Sequence, residues 1–327
     1  MHHVRTLRID MFGSLWWWCS GAYVSSSDAI HLFTFMRSLP VLKRLDVRMM
    51  RRSLDIFHAA FAESSLHAGG SWFRWFEIKA VETLVVNSSA AFLVQHCPDL
   101  QTLVIKGKDD GGDCAMDKYT ELMGLFEVHT PCLSLPDGHG LYHRCCAGKL
   151  TSFDGSATWS LAEITFLTTT FSQLRHLVLR SESYCYRSDV ASIMRILGQG
   201  LQQLKTLQIS KIEYLDMGYR GVWKRAVIEC KTEQARRKLW EANERRRVAA
   251  ENEVARLAFG RVRALDELWV GEKRVARRLP QMDNGGMDSW MWERRADDVG
   301  DGALVGTTWA GYRKEREAMI VTMEMGM

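Results

Sequence analysis

The sequence predicts an α/β fold arranged as an irregular solenoid, with a parallel sheet on its concave face and helices on its convex face. Three observations carry that expectation. A short apolar template recurs along most of the chain, its apolar positions alternate with polar or small ones, and helix-like segments closed by turns precede many copies.

The template reads apolar-x-x-Leu-x-apolar. It occurs in VRTLRID (4–10), LKRLDVR (42–48), VETLVVN (81–87), LQTLVIK (100–106), LRHLVLR (174–180), LKTLQIS (204–210) and LDELWVG (265–271), with a weaker copy in LTSFDGS (150–156). Alternation within a copy is the period of a strand with one buried face. Thr-Leu-Val-Val at 83–86 returns as Thr-Leu-Val-Ile at 102–105, so these two copies are expected to be adjacent coils.

Between copies, DAIHLFTFMRSLPVL (28–42), AAFLVQHCPDL (90–100), ITFLTTTFSQL (164–174) and ASIMRILGQGLQQL (191–204) read as helices ending in turns. Asp28, Ser88 or Ser89, and Asp189 are the expected N-caps; Pro40, Pro98 and Gly198 are the expected ends. Helix, turn and strand in repetition give parallel strands, because an antiparallel hairpin needs only a short connection. One such unit cannot bury its apolar face alone, whereas stacked units share a continuous core, which is the logic of a leucine-rich repeat. A doubly wound sheet covered on both faces would show nearly continuous apolar strands. Here the alternate positions include Arg8, Asp46, Arg48, Lys106, Arg180 and Glu267, so one face is expected to stay uncovered. The asparagine that often follows the strand in such repeats is missing from the pattern, so the turns must be satisfied differently.

At 327 residues and 46% hydrophobic, the chain can bury a substantial core. A formal charge of +4 is too mild to indicate a nucleic-acid binder by itself. Eight scattered cysteines without framework spacing are expected to be reduced thiols, which places the protein in the cytoplasm or nucleus. FGSLWWWCSGAYV (12–24) loosely imitates a signal peptide, but three bulky tryptophans argue against that reading. No apolar run approaches the roughly 20 residues of a membrane span.

The stretches FMRSLPVLKRLDV (35–47), FLVQHCPDLQTLVI (92–105), TTFSQLRHLVL (169–179) and LDELWVGE (265–272) together resemble the irregular leucine-rich-repeat region of fungal F-box proteins. The resemblance implies a substrate-binding module of a ubiquitin-ligase adaptor, in which repeats hold a target protein. An F-box does not fit in the three residues before the first strand copy. A ubiquitin-ligase scaffold is therefore an expected partner only if an F-box is missing from this chain.

The solenoid is expected over 1–279, with a loop insertion at 106–149 and a basic helical insertion at 220–263; 280–327 reads as a C-terminal cap and flexible tail. Within the first insertion, Cys132, His139, His143, Cys145 and Cys146 are metal-ligand types without finger spacing, so no metal site is expected, and a metal-dependent enzyme built around 132–146 is the least favoured alternative reading. Residues 220–263 hold 13 Lys or Arg against 6 Asp or Glu. Ile228, Ala235, Leu239, Ala242, Ala250, Val254 and Leu257 define an expected apolar helix face, with a bend near Asn243 or Asn252 or a projecting end. This helix is an alternative contact for nucleic acid or an acidic protein, although its interspersed glutamates make nucleic acid the weaker expectation. Trp16–Trp18 are expected to cover core at the opposite end of the stack.

No phosphate loop, nucleophile elbow or His-Glu-x-x-His motif is present, so neither catalysis nor a cofactor is expected. The expected site is the uncovered sheet face, meeting a protein target. One row across it holds Arg8, Asp46, Val85, Val104, Val178, Gln208 and Trp269; a second holds Asp10, Arg48, Asn87, Lys106, Arg180 and Ser210. The first is apolar through its middle and the second carries positive charge. Together they suit a segment with hydrophobic and acidic residues. Val104→Glu with Lys106→Glu is expected to abolish capture while leaving the unfolding midpoint nearly unchanged.

Overall fold

The computed structural model describes residues 3–11, 25–49, 77–87, 96–106, 149–156, 159–181, 189–220, 229–272, 274–279 and 290–294, together with positions 56, 57, 90, 93, 94 and 226. Trp16–Trp18, the 107–148 part of the loop insertion with its Cys and His residues, and the tail beyond 294 lie outside the described residues.

The protein is an α/β protein with a single ten-stranded, largely parallel sheet. Its strands lie in chain order: β1 (Thr6–Met11), β2 (Arg44–Met49), β3 (Thr83–Asn87), β4 (Thr102–Lys106), β5 (Ser152–Ser156), β6 (His176–Arg180), β7 (Thr206–Ile209), β8 (Glu267–Val270), β9 (Arg274–Arg278) and β10 (Trp290–Arg294). Strands β1 to β8 pair parallel; β8, β9 and β10 pair antiparallel.

The template sets the register. Leu7, Leu45, Leu84, Leu103, Phe153, Leu177, Leu207 and Leu268 are successive cross-strand partners, so Leu84 and Leu103 are indeed neighbours. From Leu45 onward this row is buried in one continuous core; Leu7, on the edge strand, is half-buried. Each such leucine contributes about 2 kcal/mol of transfer free energy.

A backbone ladder repeats just before the strands. The carbonyl of Arg5 accepts the N–H groups of both Lys43 and Arg44; Lys43, Glu82, Gln101, Thr151, Arg175 and Lys205 do the same for the next strand, all at 2.8–3.0 Å. Seven identical double bonds in succession hold each strand start to its predecessor and leave no slack in register.

Four helices lie among the described residues: α1 (Ser26–Arg37), α2 (Leu161–Thr170), α3 (Val190–Gly200) and α4 (Glu233–Arg261). Phe33, Ile164, Ile193 and Val254 enter the same core as the strand leucines. Asp189 caps α3 as expected, accepting from the Ser192 N–H at 2.8 Å. Asp28 is not an N-cap. Ser25 is, and Asp28 is the third residue of its capping box, reaching back to the Ser25 N–H at 2.9 Å. Ser160 and Glu163 repeat that box at α2. Ala90, Leu93, Val94 and His96 lie in 3-10 turns, not the expected α-helix, and Ser88 and Ser89 are outside the described residues.

Gly198 does not end its helix. A Cβ there would meet the Arg261 carbonyl oxygen at 2.2 Å, and one at Gly200 would meet the Thr168 side chain at 2.5 Å. These glycines let α3 pack closely between α2 and the end of α4 rather than stopping it.

Helix α4 runs for 29 residues, about 43 Å, without a break at Asn243 or Asn252. Its buried face also differs: Trp240, Glu244, Arg247, Ala250, Glu251, Val254, Ala255, Ala258 and Phe259 face the body, while Ala235, Leu239, Ala242 and Leu257 are half-buried. Ile228 lies outside the described residues. The reason is an ion cluster that apolar periodicity cannot register. Arg247, 5% exposed, bridges Glu244 and Glu251, and Arg274 of β9 approaches Glu251 at 3.4 Å.

Residues 290–294, within the predicted cap, form strand β10. Trp290 stacks on Phe259 with ring centroids 5.8 Å apart, and Trp292 Nε1 donates to Asn252 Oδ1 at 2.8 Å. Arg278 closes the C-terminal end of α4. It donates to the carbonyls of Leu265 and Phe259 at 2.9 Å, where a helix leaves acceptors unsatisfied. Among the described residues, no helix is long and apolar enough to cross a membrane.

Candidate functional site

Strand register sets the expected rows side by side. Arg8, Asp46, Val85, Val104, Asp154, Val178, Gln208 and Trp269 are successive cross-strand partners. Asp154 completes the row; its copy carries phenylalanine and glycine where the others carry leucine and a larger apolar residue, so it was left out of the sequence-derived set.

Exposure divides this row. Val85 is 1% exposed and Asp46 8%, so neither presents a surface to water. Val104, Val178, Gln208 and Trp269 are half-buried, and Arg8 at the edge is exposed. Two polar members are already engaged: Gln208 Nε2 donates to the Gly271 carbonyl at 2.9 Å, and Trp269 Nε1 to Glu267 at 3.4 Å. Gly271 has φ +69°, a turn conformation suited to glycine, which brings that carbonyl over the Gln208 side chain.

The second row is not a band of unopposed cations. Lys106 Nζ lies 3.5 Å from Asp46, Arg180 donates to Asp154 at 2.8 Å, and Arg8 is 3.9 Å from Asp10. Arg48 is half-buried. Burial raises the Asp154 carboxyl above the ordinary carboxylate range, and Arg180 opposes that rise without cancelling it.

Asn87 has a structural task. Only 4% exposed, it donates from Nδ2 to the Met49 carbonyl at 2.8 Å and accepts the Met49 N–H at 3.3 Å. Ser210, at the same template position, accepts the Ser181 N–H at 2.5 Å. Both residues stitch the strand end to the one before it. Asn87 is itself the last residue of β3, so these bonds join strand ends and are not those of an asparagine that follows the strand.

A third row was missed. Thr6, Arg44, Thr83, Thr102, Ser152, His176, Thr206 and Glu267 are also cross-strand partners, and none of them is buried. The signal was present: Thr or Ser fills the third template position in five of the eight copies. Threonine is also a good strand former, which makes its recurrence easy to pass over. This row runs across eight strands, about 34 Å, and offers hydroxyls and an imidazole as both donors and acceptors.

Among the described residues no group of three His, Cys, Asp or Glu side chains is placed to hold a metal ion. No known protein family, curated protein or solved structure matches the chain.

Proposed function

We propose that the chain is a non-catalytic protein-recognition module, and that its sheet is the inner face of an irregular leucine-rich-repeat solenoid. The observation that carries this reading is the open hydroxyl row, Thr6 to Glu267, running beside the half-buried Val104, Val178 and Trp269. The ladder of paired N–H bonds and the leucine register support the repeat, because both recur once per strand.

A row about 34 Å long is too extended for a small molecule, which prefers a concave pocket. It matches one partner's side of a standard protein interface. Hydroxyls flanked by apolar side chains suit a mixed protein surface, with polar contacts fixing register and valines supplying burial. The acidic residues expected of the target segment are the less well supported part, since Lys106 and Arg180 already have acidic neighbours.

A photo-crosslinker at Thr206, read by mass spectrometry of the adduct, tests the proposal. Partner peptides are expected at Thr206 and not at the exposed Gln202, before β7. Thr102→Arg with Thr206→Arg is expected to remove the adducts while changing stability by less than about 1 kcal/mol. Unchanged crosslinking by the folded double variant rejects the face.

A further inference from the structure

Helix α4 has two halves in different surroundings. From Ala250 onward it is packed: Ala250, Val254, Ala255, Ala258 and Phe259 are buried, and β10 reaches Asn252 and Phe259. Before Ala250 the side away from Trp240, Glu244 and Arg247 faces water, with Lys238, Arg245, Arg246 and Ala249 exposed.

Four of the eight cations of the helix are spoken for. Arg237 pairs with Glu241 at 2.8 Å, Arg256 with Glu253 at 2.6 Å, Arg236 with Glu233 at 4.0 Å, and Arg247 with Glu244 and Glu251. Among the described residues, Lys238, Arg245 and Arg246 have no carboxylate within 4.0 Å. Arg261, the fourth cation of α4 without such a pair, lies at its C-terminal end, so Lys238, Arg245 and Arg246 are the ones gathered on the open side of the first half.

Their spacing is regular. Lys238 and Arg245 are seven residues apart, as are Ala235, Ala242 and Ala249. Seven residues are nearly two helical turns, so each set forms a stripe, and the two stripes run side by side. Small side chains allow another helix to approach, while cations beside them select its charge.

We infer that this face docks an acidic amphipathic α-helix of a partner protein. This surface is separate from the sheet face and does not depend on it. A helix carrying carboxylates every seven residues repeats the same pitch, about 10.5 Å, and can meet Lys238 and Arg245 in register. Nucleic acid fits less well. Its phosphates recur every 3.4 Å along the axis of each strand, and among the described residues no aromatic side chain of α4 is exposed on the open face to stack a base.

The test is fluorescence anisotropy with the full chain and three probes: a designed amphipathic peptide with glutamates at seven-residue spacing, its scrambled isomer of equal charge, and a DNA duplex. The spaced peptide is expected to bind about tenfold tighter than the scramble, and more weakly as salt rises. Lys238→Glu with Arg245→Glu is expected to abolish that binding, and Lys238→Gln with Arg245→Gln to reduce it; Arg261→Glu leaves it intact. Circular dichroism establishes that each variant is folded. Equal binding of both peptides, tighter binding of the duplex, or indifference to both double variants overturns the inference.

Discussion

Val85 and Val178 occupy the same template position on the same side of one sheet, yet one is sealed and the other half-open. Around Val85, Asp46 and Asn87 are also buried, and Asn87 is committed to the Met49 backbone. Around Val178, Asp154 and Gln208 remain half-buried, and Arg180 is exposed. Strand alternation fixes which way a side chain points. It does not fix whether water reaches it.

The sharpest break of that comparison is a charge placed at each position. Val85→Lys is expected to cost about 3–5 kcal/mol, because the ammonium must be stripped of water in a closed site whose neighbouring carboxylate, Asp46, is already shared with Lys106. Val178→Lys is expected to cost less than about 1 kcal/mol, since its stem can lie along the sheet with the head in water beside Asp154. Urea unfolding of both variants checks the difference, and equal losses would erase the distinction between the two regions.

A smaller effect is expected at the strand ends. Asn87→Ala strands two Met49 backbone groups, a loss of about 2–3 kcal/mol, whereas Ser210→Ala at the more accessible end should cost about 1 kcal/mol. Lys106→Glu, which looked neutral from sequence alone, now places like charges beside the buried Asp46. About 1–2 kcal/mol of stability should disappear, measurable as a lowered midpoint that high salt partly restores.

The smallest effect concerns pH. Because burial raises the folded Asp154 carboxyl above its unfolded value, the native state holds more protons through that window, and stability falls as pH rises across it. Asp154→Asn removes this dependence, so its stability relative to the parent should improve from acid toward neutral pH. The caps behave oppositely. Backbone and side-chain hydrogen bonds to Ser192 depress Asp189, so its contribution is present above the unfolded carboxylate range and is lost as pH falls through the folded value. Unfolding curves across acid pH for Asp189→Ala and Asp154→Asn should therefore diverge from the parent in opposite directions.

Much of the sheet was legible in the sequence because its instruction is local. A leucine, or in one copy a phenylalanine, four positions into the template and a second inward position two residues further on specify a strand and its buried face. All eight template copies became strands in that register, including the faint LTSFDGS. The strands β9 and β10 were not legible: RVARR and WMWER carry no leucine template, and they join the sheet through antiparallel pairing and contacts with α4. The candidate site was half legible. Its direction followed from alternation, but the hydroxyl row was hidden behind the strand propensity of threonine, and the pairing of Lys106 with Asp46 spans two intervening strand boundaries.

By itself, the sequence determined where the eight template strands begin, which of their residues face the core, and that neighbouring copies lie side by side, because those outcomes depend on periodicity and on burying leucines. Only the tertiary structure decided the rest. It turned Arg247 inward to two glutamates, made Gly198 a point of close helix packing, and gave Asn87 to the Met49 backbone. Each depends on a group distant along the chain or on the three-dimensional approach of a helix, and neither is written in the spacing of apolar residues.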